Sequence, residues 1–177
     1  KLYTLNEEGD FGANLEARAE LLKQHLLMDY LPFRRLDPNA RILFKLGDNH
    51  TVKGFNETHD LDLGDFVAEL AAAEQVRSLH ILALGLRGMH YTMPAYGKPI
   101  GGEPFVMAED PYYAWLSAIS GDMIPQPAGS KGTMLTLFDL RKLRYRQFAL
   151  PPEWERIAYS NDLLVVFPTL SVASEMR

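Results

Sequence analysis

Asp48, Asn49 and His50 stand side by side after the apolar run Ile42-Leu-Phe-Lys-Leu46 and the chain breaker Gly47. An imidazole that ionises near neutrality serves as general base or acid once a carboxylate orients it, and Asp48 or Glu57 is the candidate for that task. The structural alternative is an Asx-type turn made by Asp48 and Asn49, with His50 closing the end of a strand. A metal reading takes His50 and His59 with Asp48, Asp60 or Asp62 as oxygen ligands, although no compact signature such as His-Glu-x-x-His is present. Asp60, Asp62 and Asp65 fall at the opening of a predicted helix, where acids ordinarily cap the chain and complement the helix dipole.

A second group, Arg87, His90 and Tyr91, follows another apolar run. Arg87 can hold an anion, and His90 or Tyr91 can transfer a proton. The alternative is a loop in which Met89, Tyr91, Met93 and Tyr96 pack over the edge of the core. A third group is Asp139 with Arg141, backed by Lys142, Arg144 and Arg146. Asp139 is expected at the same crevice, paired with Arg141, while Arg144 and Arg146 read as charges on a solvated edge strand. His25 and His80 read as structural.

These residues need a scaffold. Ala13 to Arg35 carries Leu15, Ala19, Leu22, Leu26, Tyr30 and Phe33 at three- and four-residue steps, which predicts an amphipathic helix. Asn14 is its expected cap, and Pro32 with the Asp37-Pro38-Asn39 turn its expected end. Strands are predicted at Ile42 to Leu46, Leu79 to Leu84, Met134 to Asp139 and Leu163 to Phe167. Between the first two, Leu63 to Val76 reads as a helix packing Phe66, Val67, Leu70, Ala73 and Glu74 on a sheet. That order favours right-handed parallel crossovers. The expected fold is therefore an α/β three-layer domain with a mainly parallel central sheet flanked by helices, its crevice over the loops after Leu46 and Leu84. Gly85 to Ala108 reads as a loop or lid over the strand ends. Asp110 to Ser120 reads as a short helix, Gly121 to Gly132 as a linker, and Pro151 to Tyr159 as a helix with Trp154 and Ile157 facing inward.

Bulk properties narrow the function classes. With 177 residues, 47% of them hydrophobic, residues 1–177 read as a single domain with one sizeable core. A net charge of −5 with scattered cations argues against a nucleic-acid surface. The chain has no cysteine, which removes disulfides, thiolate zinc sites and cysteine nucleophiles while leaving the compartment, cytoplasmic or exported, open. No run of eighteen apolar residues is present, so no membrane span is expected. Nor is there a Gly-x-Ser-x-Gly elbow, a phosphate loop or a Gly-x-Gly-x-x-Gly turn. Gly129-Ser-Lys-Gly-Thr133 precedes a strand and reads as a turn. Lys1 opens the chain in polar sequence without an initiator Met, which leaves a removed signal peptide, a tag or a larger amino-terminal portion as alternatives.

Three segments together carry a resemblance: Arg18 to Tyr30, Ala40-Arg-Ile-Leu-Phe-Lys-Leu-Gly-Asp-Asn-His-Thr-Val-Lys-Gly54, and Leu63-Gly-Asp-Phe66. They resemble the later half of erythromycin esterase-like proteins, grouped with haem-binding lipoprotein and TraB-like α/β hydrolytic domains. Asp162-Leu-Leu-Val-Val-Phe-Pro168, with Thr169 and Ser171, looks like the last strand of that family. The family pattern is a long helix, a strand ending in a motif of the sense His-Asn-Ala-His, and a helix opening with a Ser/Leu-Gly element. His50 matches the second histidine of that motif; Gly47 stands at the first, with Asn49 or Asp48 replacing part of its hydrogen bonding. The Gly-Glu-x-x-His-Gly strand end that supplies the family's base for water has no counterpart in the 177 residues.

The resemblance thus implies the carboxyl-terminal portion of a hydrolase acting on an ester or related acyl bond, or a relative that has lost the reaction. In the first case the missing amino-terminal portion of the same protein is the expected partner. His50, Asn49 and Asp48 are the expected catalytic group, and Arg87, His90, Tyr91 and Asp139 the expected substrate contacts. No cofactor is expected and no metal is assigned. The competing readings are a non-catalytic domain that binds a small molecule through the Tyr- and Met-bearing segment Gly85 to Ala108, and a metal-dependent hydrolase built on His50 and His59.

Overall fold

In the computed structural model of the chain the described residues are 11–56, 59–92, 101–110, 135–145, 149–150 and 152–170, with backbone alone for 11–16, 91 and 92. The chain mixes helices and strands and divides into two compact units, Lys1–His80 and Ile81–Arg177. Glu57, Met93, Tyr96, Arg146, the expected helix beyond Asp110, the expected linker and the Gly129 to Thr133 turn lie outside the described residues.

In the first unit, α1 spans Phe11–Leu36. It begins before Asn14, which sits inside the helix and does not cap it, and it runs through Pro32 without ending there. A proline removes one helical hydrogen bond, yet the last turn is recovered: the Asp37 N–H reaches the Phe33 carbonyl at 3.0 Å. Termination comes at the Asp37 turn, where Asp37 Oδ1 accepts the Asn39 N–H at 2.9 Å and the Arg34 guanidinium donates to the Pro38 carbonyl. Of the predicted apolar face, Leu26 is buried and Ala19, Leu22 and Tyr30 are half-buried. The second helix, α2, spans Leu63–Ala73. Its end folds back, with Gln75 at φ 56 and the Val76 N–H on the Ala71 carbonyl at 2.9 Å, a closure that satisfies the final carbonyls. Leu63, Gly64 and Ala71 are its buried positions, so the inward face is rotated from the predicted one. Arg34 of α1 meets Glu74 at 3.4 Å.

The second unit holds strands β1 (Ile81–Gly85), β2 (Arg87–Thr92), β3 (Gly101–Val106), β4 (Thr136–Asp139) and β5 (Leu163–Phe167), with helix α3 at Pro152–Ser160. A three-stranded sheet runs β1-β5-β4, and a separate ribbon pairs β2 with β3. β1 and β5 are parallel, Leu82 opposite Leu164 and Leu84 opposite Val166; β4 and β5 are antiparallel, Phe138 opposite Leu164. Leu82, Leu84, Leu164 and Val166 therefore share one face, where Ile157 of α3 and Leu140 close the core and Trp154 packs against it. On the other face Ile81 and Leu137 are exposed. Burial that alternates along a strand marks a sheet covered on one side.

The expected three-layer, mainly parallel sheet is thus wrong. The sheets are small and mostly antiparallel. Residues Ile42 to Leu46, the predicted first strand, form no strand, and Leu43 is 92% exposed. A strand exists only through a neighbour's hydrogen bonds, and the structure pairs this run with no strand among the described residues. The Gly85 to Ala108 segment is likewise no simple loop: its described parts form the β2–β3 ribbon and a short 3₁₀ turn at Met107–Glu109. Gly88, at φ 143, is what lets the ribbon abut the end of β5, since a Cβ there would overlap the Leu170 carbonyl. Leu170 accepts from the Met89 N–H at 3.1 Å and donates to the Arg87 carbonyl at 2.9 Å. Among the described residues no helix is long and apolar enough to cross a membrane.

Candidate functional site

The first unit builds its site where α2 begins. Asp48, Asn49 and His50 form one turn of 3₁₀ helix. Asp48 shapes it: its Oδ1 accepts the Asn49 N–H at 3.0 Å, and its carbonyl accepts the Thr51 N–H and the Thr51 hydroxyl, each at 3.0 Å. The expected Asx-type turn, in which the side chain would accept from the N–H two residues on, is replaced by this 3₁₀ turn, with the Asp48 carboxylate on the next residue's N–H. Among the described residues no strand precedes it for His50 to close. With Asp48 so engaged, another carboxylate meets the imidazole. Asp62 Oδ2 lies 2.7 Å from His50 Nδ1, and Asp62 Oδ1 accepts the Leu63 N–H at 2.6 Å, capping α2.

Asp62 is buried, its side chain 3% exposed, while the His50 side chain is 21% exposed. Burial acts to raise the pKa of Asp62. The His50 bond, the Leu63 N–H and the positive charges of protonated His50 and of Lys23 outweigh it, and hold the carboxyl below its ordinary value of 3.8. Ionised Asp62 can only accept, so Nδ1 carries the hydrogen and Nε2 keeps the lone pair in the neutral ring. An oriented imidazole with an available Nε2 is a general base for water or a hydroxyl.

Three further contacts fix Gly54, Phe55 and Leu61 around the helix start. Asp65 Oδ1 accepts the Gly54 N–H at 2.7 Å. The 55–61 loop is closed by an antiparallel bridge between Phe55 and Leu61, and Lys23 of α1 donates to the Leu61 carbonyl at 2.6 Å. At Gly64 a Cβ would come within 2.5 Å of the carbonyl oxygens of Thr51 and Val52, so only glycine admits that backbone. Gly64→Ala should therefore lower stability by about 2 kcal/mol, as overpacking against an unyielding neighbour does, and should weaken the His50–Asp62 bond. Urea denaturation with the His50 ring signals as a second probe checks this; an unchanged midpoint would mean that Thr51 and Val52 do not cross α2 at this point.

The other sequence candidates are placed as follows. Asp48, Asn49 and His50 share the turn in the first unit, whereas Arg87, His90 and Tyr91 lie on β2 and Asp139 ends β4 in the second. His90 Nε2 faces Glu103 of β3 at 3.5 Å. Asp139 is gripped by Arg141 through two bonds, Nε to Oδ1 at 2.8 Å and Nη2 to Oδ2 at 2.9 Å; that grip lowers the pKa of Asp139 and raises that of Arg141. Arg144 does not mark a solvated edge strand. It lies in the 3₁₀ segment Leu140–Tyr145 and reaches the Ala158 and Asn161 carbonyls and Asp162. His59 adopts φ 63 and donates its N–H to the Asn56 carbonyl at 3.1 Å. Among the described residues no three metal-ligating side chains converge.

Sequence reasoning missed Asp62 as the partner of His50. The available signal was an aspartate just before Leu63-Gly64, where a cap was expected, twelve residues from the histidine. No family model, curated protein or solved structure matches the chain.

Proposed function

We propose that this chain is the carboxyl-terminal portion of a hydrolase of the erythromycin esterase-like kind, acting on an ester or related acyl bond with His50 as its proton-transfer group. The observation that carries the reading is the His50 Nδ1 to Asp62 Oδ2 contact of 2.7 Å, with that carboxylate buried and fixed at a helix start. In the reaction Nε2 takes a proton from water as its oxygen adds to the carbonyl carbon. The tetrahedral adduct then collapses to the acid, and Nε2–H returns the proton to the departing alkoxide. Asn49, next to His50, is the candidate donor to the oxyanion. Arg87, His90, Tyr91 and Asp139 belong to the second unit, where His90 faces Glu103 and Asp139 is held by Arg141, and no step of the reaction is assigned to them.

The test is hydrolysis of p-nitrophenyl acetate by the purified chain, followed against pH and compared with His50→Gln. The wild type should show a base limb belonging to one ionisation, and His50→Gln should fall to the rate of the solution blank. Equal rates for the two proteins would overturn the assignment of His50.

A further inference from the structure

A second imidazole supports the site from below. His80 is buried, 6% exposed, and ties its own segment to the Thr51 backbone within the first unit. Its Nδ1 lies 2.8 Å from the Thr51 carbonyl oxygen and its Nε2 lies 3.2 Å from the Ser78 hydroxyl. A carbonyl only accepts, so Nδ1 donates, and in the neutral ring Nε2 accepts from the hydroxyl.

Thr51 is the residue after His50, and its N–H and hydroxyl both return to the Asp48 carbonyl. Its own carbonyl is the oxygen that passes against Gly64. The Thr51 peptide is therefore held on one side by the 3₁₀ turn carrying His50, on another by the backbone of α2, and at its oxygen by His80. We propose that His80 is a positioning residue for His50, acting through the Thr51 carbonyl to keep the turn in the register that sets Nδ1 of His50 on Asp62. The inference rests on the reading of His50 as the base, but its test does not require turnover.

The test uses the fact that the two amides mimic different nitrogens of the ring: asparagine places its NH₂ near the position of Nδ1, and glutamine near that of Nε2. In the full chain labelled with ¹⁵N, His80→Asn keeps a donor for Thr51 and should leave the His50 ring shifts and the Hδ1 signal of its Asp62 bond as in the wild type. His80→Gln removes that donor and should shift both, with kcat for ester hydrolysis reduced about ten- to a hundredfold and KM nearly unchanged. A residue that only fills space would give the same result for both variants, and that outcome overturns the proposal. The wild type alone supplies another check: an Nε2–H tautomer for His80 overturns it with no variant made. If the His50 signals respond as expected while neither the wild type nor any variant hydrolyses esters, the reading of function fails and the positioning role stands.

Discussion

Asp62→Asn should lower ester hydrolysis by about three orders of magnitude while leaving α2 intact. Asparagine is as good a helix cap as aspartate, so its Oδ1 still accepts the Leu63 N–H that Asp62 holds at 2.6 Å. The amide NH₂ then faces Nδ1 of His50 and cannot accept its hydrogen. The ring turns to the other tautomer, in which Nε2 bears the hydrogen and is no longer a base. A ¹⁵N spectrum of the ring reports that change independently of rate, and a variant that keeps Nδ1–H would sink the argument.

The same substitution has a defined pH signature in stability. The Asp62 carboxyl is held below 3.8 in the folded chain, so its ionised form contributes stability that is complete above the ordinary carboxyl range and is lost as pH falls through the lower folded value. The amide does not titrate. The stability difference between wild type and Asp62→Asn should shrink as pH falls below about 4, where the Asp62 carboxylate takes up its proton. Denaturant titrations at pH 7 and pH 3 check it; a difference that grows in acid would contradict the stated direction.

Arg144→Met should be the most damaging change in the second unit, costing about 3 kcal/mol. The guanidinium donates to the Ala158 carbonyl at 2.7 Å, to the Asn161 carbonyl at 2.6 Å and to Asp162 Oδ1 at 2.9 Å. Ala158 is in the last turn of α3, so Arg144 satisfies a terminal carbonyl where a cation also complements the helix dipole. Asp162 is buried, and loss of the Arg144 guanidinium removes a charge-assisted hydrogen bond from a desolvated carboxylate; methionine retains the length of the side chain but none of its donors. The magnitude stands at the lower end for a broken buried pair because the Arg144 side chain keeps 21% exposure. Adding Asp162→Asn should recover part of the loss. A loss under 1 kcal/mol in chemical denaturation would class the pair with exposed ones.

The elements legible in the sequence were those with a local signature. The three- to four-residue spacing from Ala19 to Tyr30 produced α1, a short branched apolar run produced β5 at Leu163–Phe167 as predicted, and the inward placement of Ile157 and Trp154 on α3 is observed. Ile42 to Leu46 has the same apolar character as β5 and forms no strand. Composition can mark a run as fit for a sheet, but a ladder needs a second chain segment in register. Gly and Pro made the Gly85 to Ala108 segment read as a loop, whereas Pro104 opposite Met89 in a two-stranded ribbon is compatible with pairing.

For the site, the sequence by itself determined which groups could act: an imidazole beside a turn-forming acid, followed by acids at a helix start where capping is favourable. Tertiary structure decided which carboxylate the imidazole meets. Asp48 is adjacent to Asn49 and spends its oxygens on the turn, while Asp62 reaches His50 because the Phe55–Leu61 bridge closes the intervening loop and Gly64 admits the Thr51 and Val52 backbone. Helix and cap preferences are decided within a few residues of chain, but a hydrogen bond across twelve residues depends on loop closure and on the shape of the surface the loop lands on, and neither is encoded in the spacing of the two side chains alone.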